Sequence, residues 1–215
     1  MNPPVYHVGT KPCPGVENLI VSEIVALPCE LSFVGIDALI ITSANALAVL
    51  DNITQEWRSL PAFVIGEASA KAVQKRGGIV EFVSKDSHGD GFFEELKDLV
   101  QGRTLLYPRA KEIRSHIGRR LQNAGIHVIE AIVYENRPLK LLPEQKPPKG
   151  AILIFSAPSA YRHFLENFPW DDSYKAVAIG CTTLKCFAPD VRAYLAPSVS
   201  LEGCLQKAYA LQKEP

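Results

Sequence analysis

A charge imbalance is the first thing this sequence lacks. Among 215 residues, Lys plus Arg and Asp plus Glu number 23 each, so the formal net charge is zero. Proteins dedicated to nucleic acid usually carry a basic excess, and none is expected here. Cysteines are few. The five (Cys13, Cys29, Cys181, Cys186, Cys204) include no C-x-x-C pair, which leaves zinc and thioredoxin-like readings without support. A reduced, cytoplasmic protein is the simplest account of them. Neither G-x-G-x-x-G nor a Walker pattern occurs, so nucleotide binding lacks its usual phosphate loop. The apolar runs stay under about 10 residues, too short to span a bilayer. The start, "MNPPVYHVGTKP", has no charged segment leading into an apolar core, so no signal peptide is expected. The five histidines (His7, His88, His116, His127, His163) show no ligand spacing. They read as surface or packing residues, with no metal site and no Ser-His-Asp or Cys-His constellation.

What is present is an internal repeat. "ALIITSANALAVL" from Ala38 returns as "AILIFSAPSAYRHFL" from Ala151, with Ser43-Ala44 falling on Ser156-Ala157. "FVIGEASAKAV" from Phe63 returns as "VAIGCTTLKCF" from Val177, with Gly66 on Gly180 and Lys71 on Lys185. A weaker third pair sets Gly91 in "GDGFFEEL" on Gly203 in "SLEGCLQKA". The alternative is two unrelated segments that share a strand-turn-helix idiom.

Each block reads as a buried strand, a small-residue loop and a helix. "ALIIT" and "AILIF" are continuous apolar runs of strand length, as parallel strands covered on both faces require. Ser, Asn and Thr after them are good N-caps. "TLLYPRAKEIRSHIGRRLQNAGIHVIEAIVYENRP" (104–138) adds a strand, a helix ending at Gly125 and another strand. The matching unit for the second copy is supplied by the N-terminus, where "VYHVGTKPCPGVENLIVSEIVALPCELSF" also reads as strand, helix, strand. The expected fold is α/β: two similar open parallel-sheet domains with flavodoxin-like layers, joined by a two-stranded connector. One domain is discontinuous, 1–32 plus 136–215, and the other, 33–135, is inserted in it. The chain crosses near Leu31 and Tyr134, and 142–150 forms a surface loop.

In open α/β sheets, ligands sit beyond the carboxyl ends of the strands. The loops there offer Thr42, Ser43 and Asn45, Gly66 and Ser69, Ser156 and Ser159, and Gly180, Thr182 and Thr183. Helix-start N–H groups and small hydroxyls suit carboxylate or phosphate. "YPRAKEIRSH" adds cations, with Arg109, Lys111 and Arg114 placed at what reads as a helix start. Ordinary capping is the alternative for each loop, and a solvated helix face for the cations.

These residues, in this order, resemble the uroporphyrinogen-III synthase family. The motifs are "TSANAL", "IGEASAKAVQKRGG", the long 104–138 segment, "FSAPSA", "AIGCTTLKCF" and "PSVSLEGCL". They cover almost the whole chain from about Ile36, while the first 30 residues match loosely. The resemblance implies a cyclising lyase of heme biosynthesis that needs no cofactor. Hydroxymethylbilane, a linear tetrapyrrole with eight carboxylates, would lose water to give an azafulvene on ring A. Attack from the substituted carbon of ring D would give a spiro intermediate. Its fragmentation and reclosure would yield uroporphyrinogen III with ring D inverted. The tyrosine of "VYENRP", Tyr134, matches the proposed acid of the family, and the strand-end loops with Arg109 and Lys111 would hold the carboxylates. A connector tyrosine packed between domains is the structural alternative for Tyr134. The resemblance also implies a cytoplasmic monomer, in transient contact with the preceding pathway enzyme and with neither nucleic acid nor membrane as partner. Cys181, Ser69 and Lys11 depart from the family's usual proline, threonine and arginine. The rival reading is a non-catalytic two-domain binder that closes on a small anionic ligand.

Overall fold

Short runs of Ala, Ile, Leu and Val with no polar member set the strands. The computed structural model describes residues 2–85, 89–113 and 115–213. The chain divides into two units, Met1–Glu23 with Arg137–Pro215, and Ile24–Asn136. His88 and Arg114 lie outside the described residues.

The inserted unit is built on β4 (Ala38–Ile41), whose four residues are all fully buried. Its parallel neighbours are β5 (Pro61–Ile65) and β7 (Thr104–Ala110). With β3 (Ser22–Ala26), β6 (Ile79–Ser84) and β8 (His127–Pro138), the sheet order is β3-β8-β7-β4-β5-β6. Alternation splits the side chains between two faces. Leu39, Ile41, Val64 and Leu106 pack under α1 (Ala44–Ile53) and α2 (Gly66–Lys75). Ile40, Phe63, Leu105 and Tyr107 pack under α3 (Gly89–Leu96) and α4 (Ile117–Asn123). Trp57 is fully buried, and its indole N–H donates to Asp51 Oδ1 at 3.1 Å, so the ring brings no unmet donor into the core.

The discontinuous unit repeats the plan. Its parallel sheet runs β11 (Arg192–Leu195), β10 (Lys175–Ala178), β9 (Ile152–Phe155), β1 (Val5–Gly9), β2 (Glu17–Ile20). On one face Phe155 meets α5 (Pro158–Asn167) in edge-on aromatic contacts, 5.4 Å to Tyr161 and 5.9 Å to Phe164. On the other, Val5, Ile152 and Ile154 pack under α7 (Leu201–Gln212). The short α6 (Cys181–Leu184) follows β10. Tyr174 is buried beside this core and donates to the Pro147 carbonyl, and burial pushes its phenol up to about 12. The order β11-β10-β9-β1-β2 corresponds strand for strand to β6-β5-β4-β7-β8, the correspondence that the two repeated blocks imply.

The N-terminal reading needs correction. No helix separates β1 from the next strand. Pro12, Pro14 and Gly15 interrupt the segment, and the Asn18 side chain staples it, accepting from Cys13 N–H at 2.6 Å and donating to the carbonyls of Cys13 and Val16. "ENLI" and "SEIVA", expected partly as helix, are the strands β2 and β3. Residues 24–32 accordingly belong with the inserted unit, where Leu27 N–H donates to Val133 O at 2.9 Å. Leu139 N–H donates to Val21 O at 2.9 Å. One partner's number rises as the other's falls, so the two crossing segments run antiparallel.

Gly78 faces the Trp57 ring so closely that a Cβ there would overlap it. Gly78→Ala is expected to lower stability by about 1–3 kcal/mol through overpacking. Urea denaturation monitored by tryptophan fluorescence checks this, and an unchanged midpoint would show that the ring has room to move.

Candidate functional site

Four polar residues of the inserted unit, Thr42, Ser43, Tyr107 and Tyr134, meet beyond the end of β4. Thr42 and Ser43 follow directly on β4. Ser43 is the N-cap of α1, and its Oγ accepts from Asn45 N–H at 3.2 Å. This is the ordinary way to satisfy an orphan donor at a helix start. Two tyrosines reach the same turn, one from the adjacent β7 and one from β8 beyond it. The Tyr107 hydroxyl meets Thr42 Oγ1 at 3.1 Å, and the Tyr134 hydroxyl meets Ser43 Oγ at 3.1 Å.

Tyr134 arrives there because β8 carries one residue more than β7. The parallel register pairs Arg109 with Ile132 and then Ala110 with Tyr134. Strict alternation would send Val133 and Tyr134 to opposite faces. The extra residue lets both pack on the α1 side. Lys111 N–H then donates to the Tyr134 carbonyl at 2.8 Å and closes the irregularity. Tyr134 is 7% exposed and Tyr107 1%. Burial, the largest cause, pushes the Tyr107 phenol above its ordinary value against the opposing bond to Thr42, so it stays neutral at physiological pH.

The cations are placed otherwise than expected. Arg109 lies on β7, and α4 starts only at Ile117 after the N-cap His116. The strand runs on through Pro108 to Ala110, and a bend at 111–112 intervenes before the helix. Arg109 Nε donates to Glu130 Oε2, and its Nη1 to the Ala110 carbonyl at 2.9 Å. Gly118 on α4 makes room for this pair, since a Cβ there would overlap Glu130 Oε1. Lys111 is more exposed and meets Glu135 at 3.3 Å. Arg109, Lys111, His116, Arg119 and Glu130 border an open depression of about 580 Å³.

The second group of loops belongs to the discontinuous unit. Ser156 follows β9 but does not cap α5, whose N-cap is Ala157. Its Oγ faces His7 Nε2 on β1 at 3.4 Å. Ser159 lies in the first turn of α5, and Gly180 is the N-cap of α6. Thr182 is exposed, whereas Thr183 is 2% exposed. Gly66, with φ of +71°, opens α2 directly from β5, so the expected Gly66–Ser69 loop is the first turn of a helix and Ser69 is buried in it. The small-residue positions thus separate into accessible ones (Thr42, Ser43, Asn45, Ser156, Ser159, Gly180, Thr182) and inward ones (Ser69, Thr183). Tyr107 and His7 were missed as polar partners of these loops. The signal for His7 was a histidine in the apolar strand "VYHVG"; for Tyr107 nothing distinguished a core tyrosine from a site tyrosine. Among the described residues no group of three or more His, Cys, Asp or Glu could hold a metal ion, and no helix is long and apolar enough to cross a membrane.

Comparison with known proteins points one way. The model of the family described as uroporphyrinogen-III synthase HemD matches residues 20–206. A search of curated proteins found no match. The crystal structure of uroporphyrinogen-III synthetase from Helicobacter pylori 26695 is 31% identical, with a TM-score of 0.84, over 97% of this chain and 99% of that one. A mutant uroporphyrinogen III synthase from the extremely thermophilic bacterium Thermus thermophilus is 18% identical, with a TM-score of 0.63, over 98% of this chain and 99% of that one. This second likeness speaks for the fold alone.

Arg109 and Lys111 are expected to behave differently when truncated. Arg109→Ala leaves the partly buried Glu130 without its partner and should lower stability by about 1–3 kcal/mol. Lys111→Ala removes a more exposed contact and should change it by under about 0.5 kcal/mol. Paired urea titrations check this, and equal effects would contradict the assignment.

Proposed function

The chain belongs to the uroporphyrinogen-III synthase family, and we propose that Tyr134, held by Ser43, is the group that assists departure of the substrate's hydroxide. The enzyme is a cyclising lyase of heme biosynthesis. It closes hydroxymethylbilane to uroporphyrinogen III with ring D inverted and water lost. Family membership sets aside the alternative of a non-catalytic anion binder.

The observation that carries the proposal is the hydroxyl pair at 3.1 Å. Ser43 Oγ has one proton and two lone pairs. One lone pair receives Asn45 N–H. If the Ser43 proton goes to Tyr134 Oη, the tyrosine proton is left for the substrate. As the hydroxymethyl C–O bond breaks, its electrons leave with oxygen and the Tyr134 O–H bonds to the departing hydroxide. The pyrrole nitrogen of ring A supplies electrons and gives up its N–H proton, which makes up the lost water with the hydroxide, to form the azafulvene. The help is a hydrogen bond that strengthens in the transition state as charge builds on the departing oxygen. Ring D then attacks from its substituted carbon, and fragmentation and reclosure return every atom except the lost water.

Choosing the crowded carbon of ring D is a matter of holding the chain in one shape. In this reading the accessible loop residues Thr42, Asn45, Ser156, Ser159, Gly180 and Thr182 bind acetate and propionate groups through hydroxyls and helix-start N–H groups. Gly66, Ser69 and Thr183 shape the turns that carry them. Lys111 contributes charge at the rim, and Arg109 does so only as far as Glu130 releases it. The rest of the reading is a cytoplasmic monomer that receives hydroxymethylbilane from the preceding enzyme in a transient contact. Its support is chemical: free hydroxymethylbilane closes unaided to the uninverted isomer, so rapid transfer is favoured.

Tyr134→Phe is expected to lower turnover by about 10²-fold or more, while stability changes by roughly 1 kcal/mol. Ser43→Ala should give a smaller loss, on the order of tenfold, because the phenol remains but its proton is no longer directed. Initial rates, melting midpoint and isomer ratio measured together check this. A near-normal rate for Tyr134→Phe would remove the tyrosine as the acid, and a collapsed melting temperature would make it a packing residue.

A further inference from the structure

His7 is a buried titratable group that the chemistry above leaves unused. It stands in the middle of β1 and is 4% exposed. Alternation puts it on the Val5 face, toward α7, where Val5 packs with Cys204, Ala208 and Leu211. Nε2 faces Ser156 Oγ at 3.4 Å, and Nδ1 has no hydrogen-bond partner. Gly9 leaves the ring its space, since a Cβ there would come within 2.9 Å of Cε1 and 3.2 Å of Nε2. A Leu or Val would fill this place without stranding a ring nitrogen, so packing alone does not account for the histidine.

We propose that His7 is a positioning residue for Ser156, and that the pair forms a proton-linked site for one substrate carboxylate. This rests on the reading that the strand-end loops hold carboxylates. A carboxylate accepts hydrogen bonds and donates none. To serve it, Ser156 must turn its own proton outward, and its oxygen must then accept from His7 Nε2–H. Ser156 is suited to this because it is not the N-cap of α5, unlike Ser43 on α1.

The charge on the ring follows from its surroundings. In the free protein burial holds His7 below the ordinary imidazole value, while the Lys11 backbone and the Asn18 side chain act in the opposite sense. The charged or titratable residues on its own and the adjoining elements are Tyr6 on β1, Lys11 and Cys13 in the following loop, Glu17 on β2, and Glu202, Cys204, Lys207 and Tyr209 on α7. None of these charges is a cause of the His7 shift. The ring is therefore neutral at pH 7. A carboxylate at Ser156 raises its pKa. The ring then takes a proton from solvent and passes a hydrogen bond through Nε2 to Ser156. Affinity is full below the free-state pKa and falls as pH rises through the bound-state pKa, by up to about tenfold per pH unit between the two.

The test reads the imidazole directly. Carbon-detected NMR titration of His7, assigned by its absence in His7→Gln, is run with and without saturating uroporphyrinogen III under anaerobic conditions. An upward shift of about one unit or more is expected on binding, and none in Ser156→Ala. In parallel, KM for hydroxymethylbilane should rise several-fold, roughly, from pH 6 to 8 in the wild type and stay flat in His7→Gln, with kcat little changed. Glutamine keeps a donor near the Nε2 position but does not titrate. An unmoved His7 signal with product bound, or equal KM slopes in both proteins, overturns the proposal. Should His7→Gln fail to fold, the wild-type and Ser156→Ala titrations decide it, with His7 then assigned from His7→Asn. A wild type that makes the type III isomer with an unmoved His7 sinks this inference alone. Absence of synthase activity would instead sink the reading beneath it.

Discussion

One extra residue in β8 determines what the strand ends of the inserted unit can do. Without it, alternation would turn Tyr134 away from Val133 and from α1. With it, a strand that supplies core residues up to Val133 also delivers a phenol to the N-cap of α1. The serine at that cap then has two roles. It satisfies a helix-start donor, and it holds the tyrosine hydroxyl at 3.1 Å. The surrounding structure supports this arrangement. β4 is buried on both faces, so the Thr42–Ser43 turn is anchored by a strand with little freedom to shift. The neighbouring Tyr107 is tied to Thr42, and Lys111 N–H fixes the Tyr134 backbone.

Duplication explains why the second unit resembles the first and also how it differs. The strand orders correspond, yet the serine after the central strand has a changed task. Ser43 caps its helix and meets a tyrosine, whereas Ser156 stands one place before the cap and meets a histidine. Pro158 accounts for part of this shift, because its fixed φ suits the first helical position and so sets where α5 starts. One scaffold thus presents a phenol beside the serine in one unit and an imidazole beside it in the other. For a reaction that expels hydroxide from a polycarboxylate, these suit different tasks, bond-breaking in one case and anion holding in the other.

Much of this was legible in the residues. The repeated apolar runs marked β4, β5, β9 and β10, because strands covered on both faces leave no polar alternation to confuse them. Gly125 ended α4 as expected, with φ of +83° just past the last helical residues. The N-terminal segment misled, because the spacing of apolar residues in "VENLIVSEIVAL" suits a helix, while side-chain bonds from Asn18 and pairing with two different sheets made strands of it. The cations misled for another reason. Sequence places Arg109 near Lys111, but it does not show that Glu130, which lies across from Tyr107 on the next strand, reaches Arg109 diagonally and takes up much of its charge. Tyr134 itself was found by resemblance to a family. The extra residue that aims it left no local mark, since register is set by pairing with β7 and not by any motif within β8.

The central claim is that this chain folds hydroxymethylbilane so that the crowded carbon of ring D reacts. Incubation of the purified protein with freshly made hydroxymethylbilane, followed by oxidation and separation of the type I and type III uroporphyrins, tests it most directly. The account predicts type III as the main product, formed faster than unaided closure. Type I alone, appearing at the rate seen without protein, would contradict it.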